Sequence, residues 1–247
     1  MPSSIPPQRP SAGPAPKRPA SSAAVSPATA APKPAAPKPA ASGDRLQLST
    51  PNASMERLKA QLEGPLPIPP AVADAADWKT RDQANRQALI KTLRGDPAVM
   101  AGLAAWKTLP PDLKLQLGDR VSAIQASIYG FKAVPLRFEE GPYKGTFHPG
   151  NGGSIAIGPK SLVSAREFLN TVVHEQAHAL QWEKGNLAVT KKLDPQDPYA
   201  GIARSWIENF YDYVPPSQGY RAYRDQPTEA HAFATGDQVS AAVLAKP

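Results

Sequence analysis

Between Glu167 and Trp182 the chain runs without a glycine or a proline, and Phe168, Leu169, Val172, Val173, Ala177 and Leu180 recur at helical spacing. That periodicity predicts a buried α-helix, and the rest of the fold must be wrapped around it. Ser164 is the expected N-cap, with Glu167 three residues on completing a capping box. Lys184-Gly185 is the expected stop, a cation in the last turn followed by glycine. Into this apolar run are set His174, Glu175 and His178. Burying two imidazoles costs desolvation free energy unless both are paired.

Residues four apart lie above one another on a helix, so His174 and His178 can aim at a single point. Glu175 stands about 100° further round, beside that point and not on it. This is the H-E-x-x-H arrangement, in which two imidazoles hold a metal ion and the carboxylate takes a proton from water. A catalytic Zn²⁺ needs a third protein ligand and keeps one position open. The chain has no cysteine, so no thiolate can serve, and its two other histidines are His148 and His231. Downstream, Gln226-Pro227-Thr228-Glu229-Ala230-His231 reads as a helix start, with Thr228 as cap. Glu229 is the expected third ligand. His231 competes, but residues two apart point away from each other on a helix, so one of the pair coordinates. Glu183 and Glu208 are the remaining candidates.

The motif, followed by a helical glutamate within Pro-Thr-Glu-Ala, resembles the gluzincin branch of the zincin metallopeptidases. The likeness spans roughly residues 130–240 and is specific at the motif helix and the Glu229 segment. It implies a zincin-like α+β fold, mostly helical, with a small β-sheet preceding the active-site helix. It also implies Zn²⁺ held by His174, His178 and Glu229, with Glu175 as general base. Tyr220 and Tyr223 are the candidates for oxyanion stabilisation. The chain departs from the pattern at Phe233, where some gluzincins carry an acidic residue that supports the first histidine. The metzincin extension with a third histidine is absent.

Upstream, Pro135 to Glu140 alternates as a half-buried strand does. Turn residues follow from Gly141 to Gly153, and Ser154 to Pro159 reads as a second strand. In zincins a peptide pairs with the sheet edge before the motif helix, so the resemblance implies Gly153, Ser154, Ile155, Ala156 and Ile157 as the substrate-binding edge. The glycine-rich stretch lacks the phosphate-loop patterns and reads as a hairpin turn, with His148 a loop histidine.

Three segments are expected: a tail over 1–50, a helical subdomain over 51–130 and the metallopeptidase core over 131–247. The tail is almost entirely Pro, Ala, Ser, Lys and Arg, with Ala-Pro-Lys-Pro-Ala repeated at 31–35 and 36–40. Such a composition buries too little apolar surface to offset its ordering entropy, which predicts disorder. Five of its cations precede the first acidic residue, Asp44, and account for most of the formal net charge of +7. Sparse lysines among prolines make no strong nucleic-acid signal. Helices are expected over 54–62, 73–93, 97–107, 111–129, 199–213 and 228–244, with Trp206, Phe210, Tyr211 and Tyr213 as a core wall. No run has the roughly 20 apolar residues of a membrane span, no classical signal peptide is present, and nothing specifies an oligomer. Lack of cysteine suits the cytoplasm or export through a specialised secretion system. A zincin domain behind a basic, Pro/Ala-rich leader resembles bacterial effector and toxin metallopeptidases.

Three function classes stand at this point. The first is a zinc metallopeptidase acting on a polypeptide. The second is a zinc hydrolase of a non-peptide amide. The third is a non-catalytic binding protein in which the motif is incidental.

Overall fold

The computed structural model describes residues 51–72, 77–150 and 152–245; the tail over 1–50 lies outside them. The early helices start where side chains take over their unpaired amides. Asp77 accepts from the backbone N–H of Lys79 and Thr80 and opens α2 (Trp78–Gly95). Asp96 does the same for Ala98 and Val99 at the start of α3 (Pro97–Ala104). The helix expected from Ala73 thus begins at Trp78, because a carboxylate cap fixes the first turn there. Preceding them is α1 (Pro51–Leu62), and following them is α4 (Pro111–Tyr129), closed by Gly130 in the left-handed conformation at φ 69°.

One buried cation ties three of these helices. Arg120 pairs with Asp96 at 2.9 Å and donates to the carbonyls of Leu62, Gly64 and Pro65. The C-terminus of α1, the N-terminus of α3 and the middle of α4 therefore meet at a single guanidinium. Their apolar faces continue into one core with the later elements: Leu89, Leu93, Leu117 and Ile124 join Ile155, Phe168, Leu169 and Leu180. Residues 51–130 and 131–247, separable by sequence pattern, share that core.

Three short strands follow: β1 (Leu136–Phe138), β2 (Gly145–His148) and β3 (Ser154–Ile157). Their order is β1-β3-β2. β1 runs parallel to β3 with Leu136 opposite Ile155, and β2 runs antiparallel with Gly145 opposite Ile157. This corrects the expected substrate edge. Residues Gly153, Ser154, Ile155, Ala156 and Ile157 belong to the central strand or its entry, both sides of β3 are taken, and Ile155 to Ile157 are buried. The edges are β1 and β2, and β2, which the turn-rich sequence concealed, is the one that lines the cleft beside His174 and His178.

The motif helix is α5 (Ala165–Val189), capped by Ser164 accepting from the Glu167 amide. The six apolar residues that predicted it are each no more than 1% exposed. At roughly 1.5–3 kcal/mol per fully buried side chain, that face alone holds the helix in place. Gln125 donates to the carbonyl of Val173, and Gln176 donates to that of Val134, tying α4 and the approach to β1 to α5. The helix does not stop at Lys184-Gly185. A Cβ at Gly185 would lie 2.6 Å from the Ile207 Cβ, so this glycine permits a close crossing with α6 (Ala200–Tyr211) and ends nothing. Lys184 pairs with Asp197 in the α5–α6 connection. Last come α7 (Tyr220–Asp225) and α8 (Pro227–Val243), the latter packed on α5. The fold is α+β and mostly helical. Among the described residues no helix is long and apolar enough to cross a membrane.

Candidate metal centre

Helix α8 carries Glu229 in its first turn, 2% exposed. Two side chains hold that turn against the last turn of α6 and the loop after it. Asn209 accepts from the backbone and hydroxyl of Thr228, and Gln226 bonds both backbone groups of Val214. Thr228 is thus anchored across the loop, and it is Gln226 that occupies the N-cap position. The clamp brings Tyr213 over the ligand helix, where its hydroxyl donates to Glu229 Oε1 at 2.8 Å.

Glu229 meets His174 and His178 across the α5–α8 contact. The two Nε2 atoms stand 3.2 Å apart. His174 Nε2 is 3.3 Å from Glu229 Oε2, and His178 Nε2 is 3.4 Å from Oε1. Tetrahedral ligands at about 2.0–2.2 Å from an ion stand about 3.3–3.6 Å from each other, so the three groups fit one small divalent cation. Oε2 is buried and no hydrogen-bond donor is aligned on it. Two imidazole nitrogens and a carboxylate facing inward leave a concentration of lone pairs that needs a positive charge between them. Among the described residues this buried trio is the group that could hold a metal ion.

The electrostatics point the same way. Burial would raise the Glu229 pKa, yet the adjacent His174 and His178 hold it well below the usual carboxylate range. Burial likewise opposes charge on His178, but Glu229, Glu175 and Gln181 together push it up to about 9. The pocket is built to stabilise a cation against a carboxylate. Burial and the Glu229 charge push the Tyr213 and Tyr223 hydroxyls far up, which keeps both protonated as donors.

Glu175 is buried beside the trio and lines the clefts on both sides of it, next to Gly145. A cleft of about 300 Å³ over the ligands is walled by Thr146, Phe147, Phe210, Tyr213 and Tyr223. Tyr223 lines this cleft; Tyr220, mostly exposed with its hydroxyl accepting from Arg224, lines the neighbouring one with His174 and Glu175, and Tyr213 takes the inner position. A more polar cleft of about 380 Å³ lies toward Asn170 and Lys144. Another of about 410 Å³ lies toward Trp182 and Leu187, sharing Phe147 and Pro149 with the central one.

Support for the ligands comes from residues the sequence reading passed over. Gln181 Oε1 sits 2.9 Å from His178 Nδ1. Its mark in the sequence is a polar residue one helical turn beyond the motif, set between Leu180 and Trp182. Phe233 meets the His174 ring edge-to-face at 4.6 Å between centroids, and the Arg224 guanidinium lies over the Phe233 ring at 4.2 Å. An aromatic contact, not a carboxylate, meets His174 from this position. His231 does not ligate; it bonds Gln181 and Asp82. Glu183 accepts from the Lys132 backbone and Glu208 pairs with Arg204, both away from the centre. No known protein family, curated protein or solved structure matches the chain.

Proposed function

We propose that the chain is a zinc-dependent metallopeptidase of the zincin type. The observation that carries this reading is the convergence of His174, His178 and Glu229 at ligand spacing with Glu175 at the same cleft. Zinc suits a two-imidazole, one-carboxylate set, and when bound it lowers the pKa of water and polarises a carbonyl. The chain's own groups supply the remainder. Glu175 takes the proton of the attacking water and delivers it to the leaving amine nitrogen, a role that contributes on the order of 10²–10⁴-fold. Tyr223 presents a protonated hydroxyl to the developing oxyanion, while the single Tyr213 proton is committed to Glu229. The outer edge of β2, which borders the cleft, is the strand along which an extended polypeptide pairs.

Elemental analysis of wild type beside His178→Ala, with a peptide-library digest of wild type and Glu175→Gln, tests the reading. About one zinc per wild-type chain, little in His178→Ala, and cleavage lost by at least about 10²-fold in a zinc-loaded Glu175→Gln protein are expected. A metal-free wild-type protein sinks the proposal. Stoichiometric zinc with no Glu175-dependent peptide cleavage transfers the centre to a non-peptide amide.

A further inference from the structure

A continuous buried hydrogen-bond chain leads away from the metal centre to a helix at the other end of the sequence. Gln181 Nε2 stands 2.9 Å from the Thr228 carbonyl and 2.8 Å from His231 Nδ1. His231 Nε2 stands 2.9 Å from Asp82 Oδ1, and Asp82 Oδ2 takes Arg86 at 2.9 Å. Every link is enclosed: Gln181 is 0% exposed, Asp82 1% and His231 7%. Trp206 and Trp78 flank the His231 ring.

The polarity of this chain follows from its two fixed acceptors. A carboxylate paired with Arg86 can only accept, so His231 Nε2–H donates to Asp82 and Nδ1 accepts. The Thr228 carbonyl can only accept, so the Gln181 amide nitrogen faces it and His231, leaving Oε1 toward His178. His178 Nδ1–H must then donate to Oε1, which leaves Nε2, beside Glu229 and His174, as the nitrogen that gives up its proton to a metal. All three donors point one way, and hydrogen bonds aligned in series polarise one another.

Resting on the metal-centre reading above, we infer that Asp82 and His231 are positioning residues that set the ring tautomer and ligand basicity of His178 through the Gln181 amide. Metal-bound histidines commonly give their other N–H to a carboxylate or carbonyl, and loss of that partner costs about 10–100-fold in metal affinity. Here the carboxylate acts from α2, two side chains removed. Asp82→Asn makes the argument testable. Arg86 demands an acceptor, so the asparagine oxygen turns toward it and the NH₂ group faces His231. His231 then carries its proton on Nδ1, facing the Gln181 amide nitrogen; Gln181 must either retreat from that clash or turn its oxygen against the Thr228 carbonyl, and both loosen its hold on His178 Nδ1–H. Removing Arg86 as well frees the asparagine oxygen to face His231 again.

The experiment measures zinc affinity by chelator competition for wild type, Asp82→Asn and Asp82→Asn/Arg86→Met, with circular dichroism of each zinc-free protein. Asp82→Asn is expected to bind zinc about 10–100-fold more weakly, and the double variant to recover to within about threefold of wild type. A packing role alone predicts further loss in the double variant, which would overturn the inference, as would unchanged affinity in folded Asp82→Asn. Ring ¹⁵N shifts of wild-type protein need no variant: His231 protonated on Nε2 and bare on Nδ1 supports the series, and the opposite tautomer ends it. Wild-type protein that binds no zinc removes the metal-centre reading, and the inference with it.

Discussion

Strand β2 reaches the motif helix because position 145 has no side chain. A Cβ built there would lie 2.5 Å from Thr171 Cγ2, 2.8 Å from Glu175 Cγ and 2.9 Å from Glu175 Oε1. Carbon atoms in contact settle at about 3.5–4.0 Å, so Gly145→Ala forces a separation of roughly 1 Å. Gly145 is not among the positive-φ glycines, which leaves steric contact as the whole effect. Either β2 retreats or Glu175 swings away, and both move the general base against the substrate strand. Overpacking of this kind costs about 1–3 kcal/mol, readable in a urea denaturation curve. A misplacement near 1 Å costs on the order of 10²-fold in rate, measured on a peptide that wild type cleaves. Zinc content stays at the wild-type level, because the three ligands ride on α5 and α8. A Gly145→Ala protein with stability within about 0.5 kcal/mol of wild type and an undiminished rate refutes the reasoning.

Two further perturbations follow from buried charge. Arg120→Met strands Asp96 inside the protein and unties the C-terminus of α1; breaking such a pair costs about 3–5 kcal/mol, checked by thermal or denaturant unfolding. A loss below about 1 kcal/mol contradicts the stapling role. His178 is held at about 9 in the folded, metal-free protein, against about 6.5 for an unfolded chain. Its raised pKa therefore adds stability that is complete below about pH 6.5 and fades as pH rises through about 9. Zinc competes with the same proton, so its affinity climbs by up to about tenfold per pH unit until about pH 9. Calorimetric titration near pH 7.5 in two buffers of different ionisation enthalpy should report about one proton released per zinc. Zero release contradicts a protonated His178.

The site was legible where its chemistry is local in sequence. His174, Glu175 and His178 sit within one helical turn or so, and the Pro-Thr-Glu-Ala start gave Glu229 away. The apolar period of α5 and its Ser164 cap were equally plain. What stayed hidden depends on contacts between distant segments. Tyr213 looked like a wall aromatic because the Asn209 and Gln226 clamp that aims it joins separate elements. Asp82 carries no local mark at all, being one acidic residue on a mixed-face helix until α8 delivers His231 to it. Strand order was also unreadable. Ser154 to Ile157 has the apolar content of a strand, but only the pairing of β2 outside it shows which of the two is the edge. Gly185 misled for a related reason, since nothing in the sequence announces that Ile207 crosses there.

That crossing decides what floors the outlying cavity. With Gly185 pressed on Ile207, α5 continues to Val189 and presents Trp182, Asn186 and Leu187 as the floor of the outlying cavity. Had the helix broken at the glycine, that cavity would have lost its floor. As built, the three converging side chains have open clefts on either hand.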